Sequence, residues 1–242
     1  ILGDLQGVQR RSLSDLIPDY PKVQPVRHRL IFTDTTNKYF IALLQSAGGG
    51  GGGARKTLDG WPTACQKCSN VTMPNIEIEE QYWPLLYHYR RICRDEKFPG
   101  SGAGACRGGM GVEYEVSPLG AKLECTSLCT KFYTPVHGIF GGRGGHPARC
   151  ELKEAGTGEL KKVLPSKFQG ITVTPEDSLY WAMTGGGGYG DPLERDPARV
   201  LEDFIEDYIT IETARQVYGV VIDPATSTVD AAATAELRAG IK

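Results

Sequence analysis

Arg107 is the residue of this chain whose type and surroundings are best suited to binding chemistry. It stands in the segment Cys-Arg-Gly-Gly-Met-Gly, directly before Gly108 and Gly109. A guanidinium held by a glycine-flanked backbone can bind a carboxylate or a phosphate through two parallel hydrogen bonds. The alternative interpretation is that Arg107 supports a neighbouring loop or a subunit contact. The sequence therefore marks Arg107 as a candidate for substrate binding or for an interface.

A second candidate site is the run of four glycines Gly185, Gly186, Gly187 and Gly188, which Tyr189 and Asp191 follow. Without side chains, their amides can approach a ligand or another subunit closely, and they can adopt positive φ. Successive amides could also form a nest for an anion. Asp191 is the acidic residue best placed for a site, although a carboxylate that hydrogen-bonds its own turn explains it equally well. The pattern predicts a substrate or interface region.

The glycine run at 48–53 does not form a nucleotide-binding P-loop. A P-loop requires a lysine directly after its last glycine, followed by Ser or Thr. Here Lys56 follows Ala54 and Arg55. A structural glycine loop is therefore the expectation for this segment.

Four of the seven cysteines occur in two pairs, Cys65 with Cys68 and Cys125 with Cys129. Two thiolate pairs can complete a tetrahedral, structural zinc site. The alternative is that all of these thiols are buried or unpaired. An odd number of cysteines is more typical of reduced thiols than of a disulfide framework.

None of the four histidines lies in a recognisable metal-binding or catalytic pattern. His137 and His146 lie in a turn-rich, glycine-containing segment, where we expect polar side chains that are exposed to solvent. No Ser-His-Asp or Cys-His signature is present in the sequence.

The elements that position the glycine run are predicted to be helical on its C-terminal side. Asp196 and Pro197 are typical of a helix N-cap and first helical residue, and the apolar stripe that follows extends to about Tyr208. Further elements are predicted as a helix from Glu212 to Tyr218 closed by Gly219, a short strand at 220–222, and a terminal helix from Ala231 to Ala239.

The residues before the glycine run favour strands. We predict two strands within Arg29–Leu44 around a turn at Thr33–Lys38, and strands in Asn75–Ile92 with Pro84 at an edge or bulge. Further strands are predicted at Val112–Val116, Lys122–Cys129 and Phe132–His137, and a short helix at 1–17. The fold class is therefore α+β: a β-rich body with glycine-rich loops, then a C-terminal helical segment. The predicted division is 1–20, 21–192 and 193–242.

Composition is ordinary for a soluble globular protein, with 40% hydrophobic and 23% charged residues. A net charge of -2 argues against nucleic acid or a membrane surface as the partner. No apolar run approaches the roughly 20 residues that span a bilayer, and no signal peptide is recognisable, so a cytoplasmic protein is expected. Because the first residue is Ile1, we expect the sequence to begin inside a longer polypeptide.

Three ordered motifs resemble the hydantoinase B/oxoprolinase family and cover most of residues 45–225. The most specific is Gly-Gly-Gly-Gly-Tyr-Gly-Asp-Pro-Leu-Glu-Arg-Asp-Pro at 185–197, followed by a helix and the Val-Tyr-Gly-Val-Val of 217–221. The other two are Ser101–Glu115 and Gly50–Trp61, and 3–17 is a weaker fourth match. The chain is similar to the C-terminal half of the family's B-type subunit.

The resemblance implies a role in an ATP-dependent, multi-subunit enzyme. In that family, a hydantoinase-A-type subunit binds ATP and activates a carbonyl oxygen, and the B-type subunit binds the substrate and a divalent metal. The family's metal ligands lie in the N-terminal half of the B-type subunit, and this chain matches none of them. The implied partners are therefore a hydantoinase-A-type subunit and a chain that carries the metal-binding half, with ATP and metal bound on those chains.

Among the activities that the resemblance implies, we favour a ketone carboxylase of the acetone or acetophenone type. The aromatic segment Glu79–Arg91 favours this activity, because other members have a plainer aliphatic strand there. The division into smaller subunits also favours it. The alternatives are an ATP-dependent cyclic-amide hydrolase (a hydantoinase, oxoprolinase or lactamase) and a non-catalytic scaffold subunit.

Overall fold

The structure, a computed structural model, describes residues 27–33, 39–43, 49–64, 73–120 and 122–241. Its strands are β1 (Arg27–Thr33), β2 (Tyr39–Leu43), β3 (Leu85–Ile92), β4 (Val112–Pro118), β5 (Lys122–Leu128), β6 (Arg149–Glu154), β7 (Leu160–Leu164), β8 (Lys167–Val173), β9 (Asp177–Ala182), β10 (Ile222–Asp223) and β11 (Thr228–Val229). The helices are α1 (Ile76–Tyr82), α2 (Pro197–Ile205), α3 (Ile211–Gln216) and α4 (Ala231–Ile241), and Pro192–Glu194 forms a 3-10 turn.

Two antiparallel sheets form the body of the protein. One has four strands in the order β2-β1-β5-β8, and the other has five strands in the order β3-β4-β9-β6-β7. In the five-stranded sheet Trp181 on β9 pairs with Tyr114 on β4 and with Cys150 on β6. The α+β fold class and the β-rich body are thus confirmed.

The hydrophobic core lies between the two sheets. Alternate residues of β4, including Tyr114 and Val116, point into it and pack with Cys125 of β5 and Val173 of β8. Trp181 is only 1% exposed at its centre. Side chains alternate between the faces of a strand, so the residues between these apolar ones must face the other side of the sheet.

The other face of the five-stranded sheet is polar but largely buried. Glu113 accepts a hydrogen bond from the Tyr180 hydroxyl at 2.7 Å and one from Arg91 at 2.6 Å. Burial raises the pKa of Glu113, but these hydrogen bonds and nearby positive charges outweigh it, so the pKa is lowered. Glu115 accepts from Lys153 at 3.1 Å. These carboxylates are therefore paired.

The C-terminal residues fold as helices that pack on the glycine-rich loops. Asp196 caps α2 by accepting from the amide of Ala198 at 2.9 Å, and Pro197 is the first helical residue, as predicted. Val200, Ala214 and Tyr218 form a buried cluster that also includes Ala103. None of the helices in the described ranges is long and apolar enough to cross a bilayer.

The predicted strands at 75–92 are wrong in their first half, where α1 forms. Glu77 and Glu79 lie in the first turn of α1, where the helix dipole favours acidic residues. The Glu80 carboxylate accepts from the backbone amide of Tyr87 at 2.6 Å, and that of Glu79 accepts from the Tyr87 hydroxyl at 2.6 Å. The helix thereby covers the edge strand β3, which confirms the second half of the prediction.

The predicted strand at Phe132–His137 is also wrong. This segment follows Lys131, whose backbone is left-handed (φ 67°), and it contains Pro135, which has no amide to donate. The structure shows bends and irregular chain here. The hairpin predicted within 29–44 is confirmed as β1 and β2, whereas the helix predicted at 1–17 lies outside the described residues.

Candidate functional site

The glycine-rich segments come together as one unit, which we call the glycine core. It consists of residues 49–53, 100–111, 138–145 and 185–190. Backbone hydrogen bonds join the segments: Gly109 donates to Gly52 at 2.8 Å, Gly186 donates to Gly109 at 2.8 Å, and Gly188 donates to Arg143 at 2.9 Å. Main chain thus contacts main chain directly between these segments.

Close approach of the backbones explains why glycine occupies these positions. A β-carbon on Gly186, Gly187 or Gly188 would lie less than 3.0 Å from backbone atoms of another segment. Gly108 and Gly109 are restricted in the same way. By contrast, Gly190 is the residue of the run 185–190 that has a positive φ, of 74°. Tight packing of the main chain, more than unusual dihedral angles, therefore requires the four-glycine run.

Buried ion pairs fasten the C-terminal helices to the glycine core. We call this set the arginine–aspartate cluster, and its members are Asp59, Arg107, Arg195, Arg199 and Asp203. Arg195, which is 1% exposed, donates two parallel hydrogen bonds of 2.9 Å to the carboxylate of Asp59 and one of 2.7 Å to Asp203. Arg199 reaches Asp59 from the surface at 2.6 Å.

Arg107 is part of this cluster. Its Nε donates to Asp203 at 3.1 Å, and its terminal nitrogen donates to the carbonyl of Gly108 at 3.0 Å. Its guanidinium lies 4.4 Å from the ring centre of Tyr208, a distance typical of a cation–π contact. The fork of Arg107 is thus directed at groups of its own chain.

Within the cluster, the pKa values of Asp59 and Arg195 are both shifted in favour of the charged form. Burial raises the pKa of Asp59, but hydrogen bonds and charges from Arg195 and Arg107 outweigh this effect and lower it. For Arg195, burial lowers the pKa, and the two carboxylates more than compensate, so the pKa is raised. Buried charges in such a mutually paired set hold neighbouring segments in one arrangement, because separating them would leave a charge without a partner.

The other residues predicted for the site have defined contacts. Tyr189 exchanges two backbone hydrogen bonds of 3.0 Å with Cys106, and its ring lies 5.2 Å from that of Phe140. Asp191 is exposed and accepts from the amide of Leu193 at 2.9 Å, which is the turn-capping role weighed above. Both lie at the rim of the glycine core.

The structure describes two of the four cysteines predicted for the zinc site. Cys125 and Cys129 are buried, and burial raises the pKa of each thiol to about 12. Zinc binds thiolates, so thiols held in an apolar core are poorly suited to it. Cys65 and Cys68 lie outside the described residues. The described ranges contain no group of three or more His, Cys, Asp or Glu side chains able to hold a metal ion.

His146, expected at the surface, is instead buried, directly after segment 138–145 of the glycine core. Its carbonyl accepts hydrogen bonds from the amide of Gly185 at 3.0 Å and from the hydroxyl of Thr184 at 2.8 Å. Its ring stacks on Phe98 with 4.1 Å between centroids. Nδ1 lies 3.1 Å from the carbonyl of Pro147 and must donate to it, which leaves Nε2 buried without a partner.

This environment predicts a pH-dependent stability. Burial lowers the pKa of His146 to about 4, against about 6.5 in an unfolded chain. The unfolded state therefore binds the proton more readily, and stability should fall by about 3 kcal/mol as the pH drops from about 6.5 to about 4. Thermal unfolding measured across this range should show the loss. His146→Asn keeps a donor near Pro147 and removes the titration, so an unchanged slope in that variant would contradict the assignment.

A second prediction concerns Arg107→Lys, which keeps the charge but removes the planar fork. Losing the hydrogen bonds to Asp203 and Gly108 should destabilise the protein by about 2 kcal/mol and weaken subunit assembly. Denaturant midpoints and subunit stoichiometry would measure both effects. Arg94→Lys is the matched control, because Arg94 is half-exposed and pairs with Asp207, which is itself exposed at the surface. Equal midpoints for the two variants would show that the cluster does not depend on the guanidinium.

The protein consists of a β-sandwich, a glycine core packed through its main chain, and a short helical region. This combination defines its class. Residues 24–192 match the hydantoinase B/oxoprolinase family, and the chain belongs to that family. It is 31% identical over 208 residues to caprolactamase subunit beta of Pseudomonas jessenii, a match that covers 84% of this chain and 35% of the relative.

Two further comparisons support the same family. The acetophenone carboxylase delta subunit of Aromatoleum aromaticum is 31% identical over 222 residues, covering 77% of this chain and 31% of the relative. The solved structure of the ATP-dependent caprolactamase from Pseudomonas jessenii superposes with a TM-score of 0.77 at 27% identity, covering 95% of this chain and 40% of that one. The chain thus spans about a third of the length of the relatives that it matches.

Sequence reasoning missed Asp59, Arg195 and Asp203 as members of the site. Asp59 and Arg195 stand inside the motifs that carry the family resemblance, each close to glycines. A charged residue inside a glycine-rich motif was the available signal. What the sequence could not show is that Asp59 and Arg195, 136 positions apart, are partners.

Proposed function

We propose that this chain forms the C-terminal, glycine-packed part of a B-type subunit in an ATP-dependent enzyme that acts on a carbonyl group. The observation that carries the proposal is the family match over residues 24–192, which includes the glycine core and ends where the helical region begins. The core and the arginine–aspartate cluster give the chain a rigid main-chain scaffold. ATP and a divalent metal are assigned to other chains, namely a hydantoinase-A-type subunit and a chain with the metal-binding half.

For the reaction itself, we propose a ketone carboxylase of the acetone or acetophenone type. The aromatic segment 79–91, which favours this activity, forms α1 and the edge strand β3, and Tyr82 is 74% exposed there. Exposed aromatic side chains are common where proteins contact one another. This segment is therefore available to the chain that would complete the enzyme.

A cyclic-amide hydrolase is the second candidate. It is favoured by the caprolactamase relative, whose match covers more of this chain than that of the carboxylase subunit, 84% against 77%. Both candidates need ATP to activate a carbonyl oxygen. They differ in the second reactant. The carboxylase needs bicarbonate or carbon dioxide, whereas the hydrolase needs only water.

The experiment is purification of the native complex through a tag on this chain, followed by ATP-hydrolysis assays. ATP turnover that requires acetone or acetophenone together with bicarbonate would support the carboxylase. Turnover with hydantoin, 5-oxoproline or caprolactam and no bicarbonate would support the hydrolase. Full activity of the complex after removal of this chain would assign it a non-catalytic role. The isolated chain should be inactive, and turnover by it alone as a monodisperse monomer would overturn the proposal.

A further inference from the structure

The outer face of the five-stranded sheet, on the side away from the hydrophobic core, belongs neither to the glycine core nor to the arginine–aspartate cluster. We call it the charged face. Because alternate residues of a strand share a face, strand pairing places its side chains in rows across the sheet. The first row is Arg91–Glu113–Ala182–Arg149, the second is Tyr89–Glu115–Tyr180–Glu151–Val163, and the third contains Leu86 beside Ser117 and Ser178 beside Lys153 and Leu160.

On the charged face the carboxylates are buried and the cations are exposed. The side chains of Glu113 and Glu151 are 0% and 8% exposed. Their partners Arg91 and Arg149 are 44% and 47% exposed. An approaching molecule therefore meets positive charge first.

Short contacts join the charged groups into one network. Glu113 lies 3.6 Å from the ammonium of Lys97. Lys97 and Lys153 both lie over the ring of Tyr180, at 3.7 and 4.2 Å from its centre. Lys153 lies 3.8 Å from Glu151. The network has a net charge of +1, because its four cations are Arg91, Lys97, Arg149 and Lys153 and its three carboxylates are Glu113, Glu115 and Glu151.

Two guanidinium groups of the charged face have unused donors. Arg91 and Arg149 each form their ion pair through Nε, and within the described part of the chain their terminal nitrogens form no hydrogen bond. Those parallel N–H groups can bind a further carboxylate bidentately. The two arginines stand in one row, three strand spacings or about 14 Å apart. Two carboxylates carried on one protein surface match this spacing.

Exposed aliphatic side chains flank the charges at both edges of the sheet. Leu86 on β3 is 42% exposed, and on β7 Leu160 and Val163 are 48% and 54% exposed. Arginine is enriched at protein interfaces, where apolar side chains contribute much of the buried area. A small anion bound to the arginines would leave these aliphatic groups in water. The combination therefore indicates a protein as the occupant.

Charge decides which protein this is. A two-fold contact between copies of this chain would place the charged face against itself, so that cations approached cations. An acidic surface on a different chain avoids this repulsion. Such a chain is available, because this one spans about a third of the length of the relatives that it matches.

We propose that the charged face docks an acidic surface of the chain that carries the rest of the B-type subunit. Carboxylates of that surface pair with Arg91 and Arg149, and aliphatic groups beside them pack on Leu86 and Val163. The identity of the docked chain rests on the function proposed above. The acidic chemistry of its surface rests on the charged face alone.

The native complex, purified through a tag on this chain, tests the proposal with two variants. Leu160→Glu adds a negative charge opposite Lys153, so it should leave the unfolding midpoint unchanged and raise the Kd of the copurified chain at least about tenfold. Leu128→Glu is its control, since Leu128 is 54% exposed but lies on the other sheet. Arg91→Lys should also weaken binding about tenfold, because it loses the parallel donors. Arg94→Lys is the control for this change, because Arg94 is equally exposed and pairs with Asp207.

Unchanged binding in Leu160→Glu, or an equal loss in Leu128→Glu, would overturn the proposal. Purification of this chain without a partner, or as a dimer joined through the charged face, would also overturn it. Failure of the proposed function gives a different result. In that case the complex would hydrolyse ATP with neither class of substrate, while Leu160→Glu would still release an acidic chain.

Zero-length carbodiimide cross-linking of the complex tests the chemistry of the docked surface. Carbodiimide joins an ammonium to a carboxylate that it contacts, and Lys97 is 39% exposed on the charged face. Mass spectrometry should find Lys97 joined to an Asp or Glu of the copurified chain. No product between chains at Lys97, or a product with a second copy of this chain, would contradict the proposal.

Discussion

Gly187→Val is expected to prevent correct folding or assembly of the chain. A β-carbon at this position would lie less than 3.0 Å from the backbone of His137 and 3.1 Å from the amide nitrogen of Gly138, and valine adds two further methyl groups. The obstacle is main chain, and the residues on either side of it, Val136 and Ile139, are hydrogen-bonded to Gly145 and Gly188 of the glycine core, so it cannot move aside as a flexible side chain would. We expect a loss of at least about 3 kcal/mol, a large part of the stability of an ordinary domain.

The measurement is the soluble yield, the unfolding midpoint and the subunit association of three variants. Gly240→Val is the matched control, since a β-carbon on Gly240 meets no atom within 4 Å, and it should change stability by no more than about 0.5 kcal/mol. Asp196→Ala removes one helix cap and should lose about 1 kcal/mol. If Asp196→Ala proved more damaging than Gly187→Val, the glycine run would be a flexible linker and not a packed core.

The helices that follow the glycine core could be predicted because their signals are local. Asp196 and Pro197 mark the start of α2, and the apolar stripe after them has helical period, so the prediction needed no knowledge of distant residues. α2 ends at Ile205, earlier than the predicted Tyr208. The backbone is left-handed at Asp207, which prevents the helix from continuing. Local rules therefore predicted the helix but not its last turn.

The strands between 149 and 182 could not be predicted, because their local sequence lacks the pattern of a strand. β7 exposes all but its last residue, and β8 exposes most of its length, so neither shows the alternation that identifies a strand. β9 is buried throughout, yet it contains Asp177 and Ser178, which are satisfied by hydrogen bonds from Lys161 and to Glu115. Pairing with distant strands, and not local pattern, determines these elements.

For the site, the sequence identified the glycines but not the reason for them. A glycine in a sequence is equally consistent with a positive φ and with close approach of another chain segment. The close approach of Gly186, Gly187 and Gly188 to backbone of other segments distinguishes the two. The same limit applies to Arg107. Its flanking glycines indicated a fixed guanidinium, but its partner Asp203 lies 96 positions away.

Arg195→Met should have the second largest effect among the substitutions considered. It removes the guanidinium that pairs with Asp59 and Asp203, and it leaves two carboxylates, one of them almost fully buried, with fewer partners. Breaking a buried ion pair on one side is unfavourable by about 3 to 5 kcal/mol, because the remaining charge is left without compensation. The C-terminal helices should then separate from the glycine core at lower denaturant concentration than in the unmodified chain.

Arg199→Met provides the matched control, because Arg199 pairs with the same carboxylate of Asp59 but its side chain is 36% exposed. An exposed ion pair contributes only about 0 to 1 kcal/mol, so this variant should unfold close to the unmodified protein. Denaturant unfolding of both variants, followed by tryptophan fluorescence and by helix content, separates loss of the helical region from loss of the β-sandwich. Adding Asp203→Asn to Arg195→Met should recover part of the loss, since it removes one of the uncompensated charges. Equal destabilisation by Arg195→Met and Arg199→Met would mean that burial does not set the strength of the cluster, and the helices would then be held to the core by apolar packing around Tyr218 and Ala103 alone.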